Sequence, residues 1–397
     1  MDALRRKRTG VLLAAAVCGC GGGDEVVELC GDGRPADGGC EGVRYVVTGG
    51  YHSCALFRSG RVRCWGRNEY GQLGLGHTRN VGDDELPRDE PFVELGQLAT
   101  DLAAGAWFTC ALLGDGTMRC WGANHSGQLG LGNEAHVGDD ELPTAVAPLD
   151  LGERVLQMAP GGAHMCVRLE SGRVRCWGSN DSGELGYGHV QSLGDDEPIP
   201  SASVDVGAPV VDLSAGAAGT CVVTDAGGVR CWGDNETFGQ LGYANFEQIG
   251  DDEVPAVAGD VPTLGGARDV EMHGLGWCAR TLDERVACWY GGTLASGSQA
   301  LDVALPNTPR DFGGSVYEAC ALVEPSLLGC WPCFNPPASP EVTLFSLGYE
   351  TEAISSGGVS VHFCSWGNGS VHCWGDNSYG QLGTGDTRAW TPLDAPN

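Results

Sequence analysis

The dipeptide Cys-Trp occurs seven times in this 397-residue chain, at Cys64, Cys120, Cys176, Cys231, Cys288, Cys330 and Cys373. The intervals are 56, 56, 55, 57, 42 and 43 residues. A self-similar period of this size marks a repeat array, in which each unit buries its apolar face against the next. Every Cys-Trp is preceded by another cysteine: Cys54, Cys110, Cys166, Cys221, Cys278, Cys320 and Cys364. Six pairs are ten residues apart and the seventh is nine apart.

These separations are the signature of a hairpin. Symmetrical pairing across ten residues leaves a three-residue loop such as Arg58-Ser59-Gly60, and Gly60, Gly116, Gly172 and Gly227 stand where a type I turn ends in a left-handed residue. In the seventh copy the loop shortens to Asn368-Gly369, the favoured type I′ pair. Either loop sets the two cysteines directly opposite in a non-hydrogen-bonded pair, about 4.5 Å apart at Cα, which a disulfide can span. The predicted bridges are Cys54–Cys64, Cys110–Cys120, Cys166–Cys176, Cys221–Cys231, Cys278–Cys288, Cys320–Cys330 and Cys364–Cys373. Copies five and six, with Leu282-Asp283-Glu284 and Glu324-Pro325-Ser326, lack the turn glycine.

Around each hairpin the same frame returns: an apolar strand ending in Gly (Val43–Gly49, Leu98–Gly105), the hairpin, WG-x-N-x-x-GQLG, then a Pro-flanked outer segment such as Pro91–Leu95. Four short strands per repeat is the content of a propeller blade, so residues 43–397 read as an all-β, seven-bladed propeller of four-stranded blades. An open ring would leave unpaired edges, so closure by pairing of N- and C-terminal strands is expected. The terminal segment Thr391–Asn397 is expected to pair as the outermost strand of the blade holding residues 43–66.

The amino terminus indicates a compartment. Arg5, Arg6, Lys7 and Arg8 precede a short apolar run, Val11 to Val17, then small residues and cysteine. This is the order of a secretory signal, too short to span a bilayer permanently. Residues 1–19 therefore read as a lipoprotein-type signal peptide with Cys20 as the lipidated residue, and plain secretion is the alternative. Residues 20–42 read as a Gly/Asp-rich tether in which Cys30 and Cys40 are placed to close a small loop. Nineteen cysteines suit an oxidising compartment. The expected location is the bacterial cell envelope, as an outer-membrane lipoprotein. The formal charge of −29 opposes binding to nucleic acid or to anionic membrane surfaces.

The strings CALFRSGRVRCWGRNEYGQLGLG (54–76), CALLGDGTMRCWGANHSGQLGLG (110–132) and CSWGNGSVHCWGDNSYGQLGTG (364–385) resemble regulator of chromosome condensation repeats. The resemblance covers nearly the whole chain after the signal. It is weaker in copies five and six, where CWYGGTLASG and CWPCFNPPAS lose the GQLG signature. It implies a seven-bladed β-propeller. The family's eukaryotic founder exchanges guanine nucleotide on a small GTPase and binds chromatin. Other members, including a secreted bacterial β-lactamase inhibitor, present a binding face. A signal peptide, strong acidity and paired cysteines separate this chain from the founder, so exchange activity is not carried over.

The remaining chemistry is sparse. Trp65 to Trp374, one in each repeat, read as packing residues. His52, His164 and His362 occupy one equivalent position, which points to a repeated structural hydrogen bond. No HExxH or GxSxG occurs, and no catalytic residue is assigned. CWPC at Cys330–Cys333 is followed by Phe334-Asn335-Pro336-Pro337, which does not continue the helix a redox pair requires, and Cys333 is left without a partner.

The most distinctive motif is GDDE, in four copies: Asp83, Asp84, Glu85; Asp139, Asp140, Glu141; Asp195, Asp196, Glu197; and Asp251, Asp252, Glu253. Corresponding loops of adjacent blades should lie along one side of the ring. Such carboxylates suit Ca²⁺ or a basic partner, but their spacing matches neither the EF-hand nor the nonapeptide Ca²⁺ repeat. The favoured reading is that they cap turns before Pro87, Pro143, Pro198 and Pro255. No metal or cofactor is assigned. The expectation is a monomeric, non-catalytic, surface-anchored or secreted scaffold for a protein partner. The alternative is a secreted enzyme or enzyme inhibitor on the same frame.

Overall fold

The computed structural model describes Val27, Leu29 and residues 42–390, except 237–238, 263–264, 274–275, 291–299, 317, 333–340, 356 and 358. The signal segment, Cys20, Cys30, Cys40, Cys333 and residues 391–397 lie outside the described residues.

Among the described residues the strands form seven antiparallel sheets in chain order. The first holds β1 (Val43–Thr48), β2 (His52–Phe57) and β3 (Val62–Gly66); the second β4 (Ala99–Ala104), β5 (Phe108–Leu113) and β6 (Met118–Gly122). The third holds β7 (Val155–Pro160), β8 (His164–Leu169) and β9 (Val174–Gly178); the fourth β10 (Val210–Ala215), β11 (Gly219–Thr224) and β12 (Val229–Gly233). The fifth holds β13 (Ala267–His273), β14 (Gly276–Thr281), β15 (Val286–Tyr290) and β16 (Leu301–Val303). The sixth holds β17 (Asp311–Gly314), β18 (Glu318–Glu324), β19 (Leu327–Pro332) and β20 (Thr343–Ser346); the seventh β21 (Ala353–Ser355), β22 (His362–Gly367) and β23 (Ser370–Gly375).

The hairpin register follows the cysteine arithmetic. Cys54 faces Cys64 across β2 and β3, and Cys364 faces Cys373 across β22 and β23. All seven expected disulfides are present, with Cα separations of 4.0 to 4.1 Å. Asn368 and Gly369 both take positive φ, as a type I′ turn requires. In copy five Glu284 adopts the left-handed conformation that glycine takes elsewhere. Copy six instead shortens its loop to Pro325-Ser326 by a bulge between Leu322 and Glu324. The middle strands are buried on both faces, because neighbouring sheets pack against each side; β2 is buried at every residue. Their near-continuous apolar character follows from this sandwiching.

The expectation of four-stranded blades needs correction. Among the described residues only the fifth and sixth sheets have a fourth strand; the other five have three. In the first four repeats the outer segment touches its sheet through one or two hydrogen bonds, such as Val93 N to Val62 O (2.9 Å) and the reciprocal pair between Met118 and Leu149 (2.9 and 2.7 Å). Proline in these segments withholds donors, and the long GQLG–GDDE loop delivers the chain for one contact before it leaves for the next sheet. The two sheets with a full fourth strand are the ones whose repeats lack that loop.

The two ends of the array touch. Val361 N donates to Gly50 O (3.3 Å), and Gly357 N donates to Thr48 Oγ1 (2.8 Å). Val27 and Leu29, inside the segment expected to be a tether, are 4% and 5% exposed and belong to the core. Val27 N donates to Val371 O on β23 (2.9 Å), the role that Val93 plays for β3. The outer place beside Val62, expected for residues 391–397, is held by Val93.

Candidate functional site: the open-end face and the central cavity

Each hairpin turn lies at one end of its sheet, and the pair His52–Gly66 marks the opposite, open end. Tyr51 and the loop after Gly66 both leave from that end, so the GQLG and GDDE segments share one face of the assembly. The loop is shaped by its own asparagine. Asn68 Oδ1 accepts from Leu73 N (2.9 Å), and Asn124, Asn180, Asn235 and Asn377 do the same for Leu129, Leu185, Leu241 and Leu382.

Neighbouring sheets are joined beneath this face by a repeated network. Trp121 Nε1 and Thr109 Oγ1 both donate to Gln72 O, at 2.9 and 3.0 Å. The Thr109 hydroxyl proton is thereby used, so His52 Nε2, 2.8 Å away, is the donor to Thr109 Oγ1. His164, Thr220, Glu184 O and Trp232 repeat the arrangement. His362, Ser53, Gln381 O and Trp65 form it between the seventh and first sheets. Burial holds the three imidazoles neutral, with pKa values lowered to about 3 for His52, about 4 for His164 and about 3 for His362. The equivalent histidines are thus structural donors.

In each GDDE loop the three carboxylates offer oxygens within 4.8 Å of one another. Burial, aided by the neighbouring aspartates, raises Glu85, Glu141 and Glu253 to about 7. A hydrogen bond with Asp196 followed by burial raises Glu197. The four triads remain separate. Each packs against the GQLG turn of the preceding sheet: a Cβ on Gly71 would lie 2.3 Å from Asp139 N, and one on Gly380 would lie 2.3 Å from Asp83 N. Turn capping is seen at Glu197, whose Oε1 accepts from Gly194 N (3.0 Å). The short helices starting at Pro87, Pro143 and Pro255 have no side-chain cap, so the acids do not cap those. With one oxygen from each, three carboxylates supply three of the six to eight oxygens Ca²⁺ takes.

A cluster not singled out in the sequence lies on the same face. Tyr51 stacks on Trp107 with ring centroids 5.4 Å apart, and Tyr379 meets Tyr51 edge-on at 5.4 Å. Tyr70 meets Trp107 at 6.0 Å, His125 at 5.2 Å and His136 at 5.4 Å. The Arg67 guanidinium sits 4.7 Å from the Trp107 ring, 4.6 Å from Tyr379 and 5.8 Å from Tyr51, and is ion-paired to Glu69. The available signal was variation inside the repeat. Tyr51 and Trp107 stand where Ala163 and Ala218 stand in the third and fourth copies, and Tyr70 and Tyr379 stand where Ser126 and Ser182 stand.

The first strands of all seven sheets line one central cavity of about 390 Å³. Its carboxylates mainly tie strand to strand. Asp212 accepts from Gln157 Nε2 and Val270 N, both at 2.9 Å, and Asp311 accepts from Ile354 N at 3.0 Å. Asp269 is ion-paired to Arg280. Glu271 faces the same space, and burial, with Asp311, Asp212 and Asp269 nearby, drives its pKa well up. Asp212 and Asp311 thus hold neighbouring first strands in register.

Comparisons with known proteins agree with this architecture. The chain matches two models, both described as "Regulator of chromosome condensation (RCC1) repeat": one at residues 43–72, 99–128, 155–184 and 210–240, the other at 59–112, 115–168 and 368–394. It is 32% identical over 209 residues to the mitochondrial RCC1 domain-containing protein RUG3 of Arabidopsis thaliana, covering 51% of this chain and 44% of that protein. It is 32% identical over 204 residues to the ultraviolet-B receptor UVR8 of the same plant, covering 51% and 43%. It is 28% identical over 357 residues to human E3 ubiquitin-protein ligase HERC2, covering 83% of this chain but 7% of HERC2. The chain therefore spans less than half the length of these curated relatives. Among solved structures it is similar to human WBSCR16 (TM-score 0.64, 17% identity, 79% and 85% of the two chains covered). It is also similar to Prp20p of Saccharomyces cerevisiae (TM-score 0.59, 17% identity, 88% and 83% covered). From its matched repeats and its seven antiparallel sheets, the chain belongs to the regulator of chromosome condensation (RCC1) repeat family.

Proposed function

We propose that this chain is a closed seven-bladed β-propeller acting as a non-catalytic, monomeric protein-binding scaffold at the bacterial cell envelope. The observation that carries the reading is the contrast between frame and face. Disulfides, tryptophans and loop asparagines recur from sheet to sheet, whereas residues that project from the open end differ between repeats. A rigid frame with variable projecting residues suits recognition, because a preformed surface loses little entropy on binding. Relatives and structural neighbours support a binding role: the Prp20p structure is described together with that protein's binding to Gsp1p and histones.

Closure is supported by Val27 on β23 and by the His362–Ser53 link between the seventh and first sheets. Envelope location rests on the signal-like residues 1–19 and on Cys20 as the lipid site. With Val27 held on the seventh sheet, only the chain from Cys20 to Val27 separates lipid from ring, at most ~25 Å when extended. The propeller then sits close to the membrane. The test is capture from bacterial envelope extract by the chain from residue 20 onward carrying Cys20→Ser. A fragment beginning at residue 43 would lack the core residues Val27 and Leu29. Retention of one protein at near-stoichiometric yield supports the scaffold; turnover of a substrate by the purified chain would overturn the non-catalytic reading.

A further inference from the structure

The open-end face is not uniform around the ring. Tyr379, Tyr51, Tyr70 and Trp107 come from the seventh, first and second sheets and form one continuous aromatic arc. All four side chains are half-buried, so each ring leaves part of its surface to solvent. The cation among them, Arg67, is offset by Glu69. The arc is bordered by acid. Tyr379 precedes Gly380, which abuts the loop of Asp83, Asp84 and Glu85, and Tyr70 precedes Gly71, which abuts the loop of Asp139, Asp140 and Glu141.

We propose that this arc is the docking surface for a basic protein segment, with an aromatic or aliphatic side chain seated among the rings and Lys or Arg reaching the flanking carboxylates. This deepens, and rests on, the scaffold reading. Tyrosine and tryptophan are the residues that dominate protein interfaces when ringed by polar groups. Their faces also attract cations, so one surface satisfies both parts of such a segment. Charge complementarity selects the occupant: the chain carries a formal −29, and two acidic triads stand at the arc. A second copy of this chain would bring like-charged loops to the same place, and nucleic acid would bring phosphates.

The experiment selects a random 12-residue peptide phage library on the chain from residue 20 onward with Cys20→Ser. The expected result is enrichment of peptides with net positive charge around one aromatic or aliphatic residue. Their binding should weaken at least about tenfold in Trp107→Ala, persist in Trp107→Phe, and fall steeply as salt is raised. Unchanged melting temperature in Tyr51→Ala or Trp107→Ala controls for folding. Recovery of neutral or acidic peptides, of no peptides, or of peptides indifferent to both substitutions overturns the assignment. The scaffold reading is judged separately. An envelope protein captured equally by the parent chain and by Trp107→Ala keeps the scaffold and removes this surface, whereas capture of nothing by either removes the scaffold.

Discussion

Val27 donates its amide to the carbonyl of Val371 at 2.9 Å, and in doing so stands for Val93 on Val62, also at 2.9 Å. Two further contacts reproduce the equivalence. Gly383 has Val27 Cγ1 beside it as Gly74 has Val93 Cγ1, and Arg63 Nη1 donates to Leu29 O (2.8 Å) as Arg175 Nη1 donates to Leu151 O (2.9 Å). A residue near the amino terminus thus completes the last sheet.

Val27 and Leu29 should therefore matter to the stability of the whole array. Leu29→Ala is expected to cost about 2–5 kcal/mol, the range for truncating a buried leucine. A fragment starting at residue 43 should melt well below the chain from residue 20. Equal melting temperatures for the two would remove Val27 and Leu29 from the core.

The buried histidines give a signed pH dependence. Their folded pKa values of about 3, 4 and 3 lie below the ordinary 6.5, so the unfolded chain takes up protons first as pH falls. Their contribution is complete above about pH 6.5 and declines as pH drops toward 4 and 3. Denaturant titrations across pH 4 to 7 should show this loss on acidification as a difference between the parent chain and a variant lacking the three imidazoles. Replacing His52, His164 and His362 together by Gln should flatten part of that slope, and an unchanged slope would contradict the assignment.

The GDDE glutamates titrate in the opposite sense. Glu85, Glu141 and Glu253 ionise near 7, above the ordinary 4.5, so protonation favours the folded state and this contribution fades as pH rises from 4.5 through 7. Carboxyl-carbon NMR should find three glutamates titrating near neutrality. Asp140→Asn should lower the value for Glu141; a Glu141 that titrates at 4.5 in the parent chain would refute the crowding.

Each disulfide closes a loop of nine or ten residues, so its removal should cost about 2–3 kcal/mol. Non-reducing peptide mapping should recover Cys110 with Cys120 and Cys364 with Cys373. Cysteines joined between different hairpins would contradict the register.

Gly71 adopts φ +77 and faces the backbone of Gly138 and Asp139 at contact distance. Gly71→Ala combines a left-handed strain of about 1 kcal/mol or more with a direct clash. It should destabilise clearly, whereas Gly152→Ala, with open space around it, should cost only the backbone strain. Comparable melting shifts in the two variants would argue against the loop-to-loop packing.

What the sequence by itself determined is what local geometry determines. Loop length and two-residue side-chain alternation set which cysteines face each other, so Cys54 opposite Cys64 was legible without coordinates. Position in the repeat likewise pointed to a structural hydrogen bond at His52, and the structure made the imidazole its donor. Other features depend on parts of the chain that only the tertiary structure brings together. Val27 and Leu29 sit in a Gly/Asp-rich stretch whose composition reads as a tether, although Val27-Glu28-Leu29 repeats Val93-Glu94-Leu95. That match has meaning only once the seventh sheet lies beside the first. The number of strands per sheet depended on whether an outer segment makes one or two hydrogen bonds or a ladder, and the ladder is found where the long preceding loop is missing. The aromatic arc required Tyr379 to meet Tyr51 across the junction between the two ends of the array. Short-range patterning encodes the hairpin, whereas the face is formed by side chains far apart in the chain that the packing of the sheets brings together.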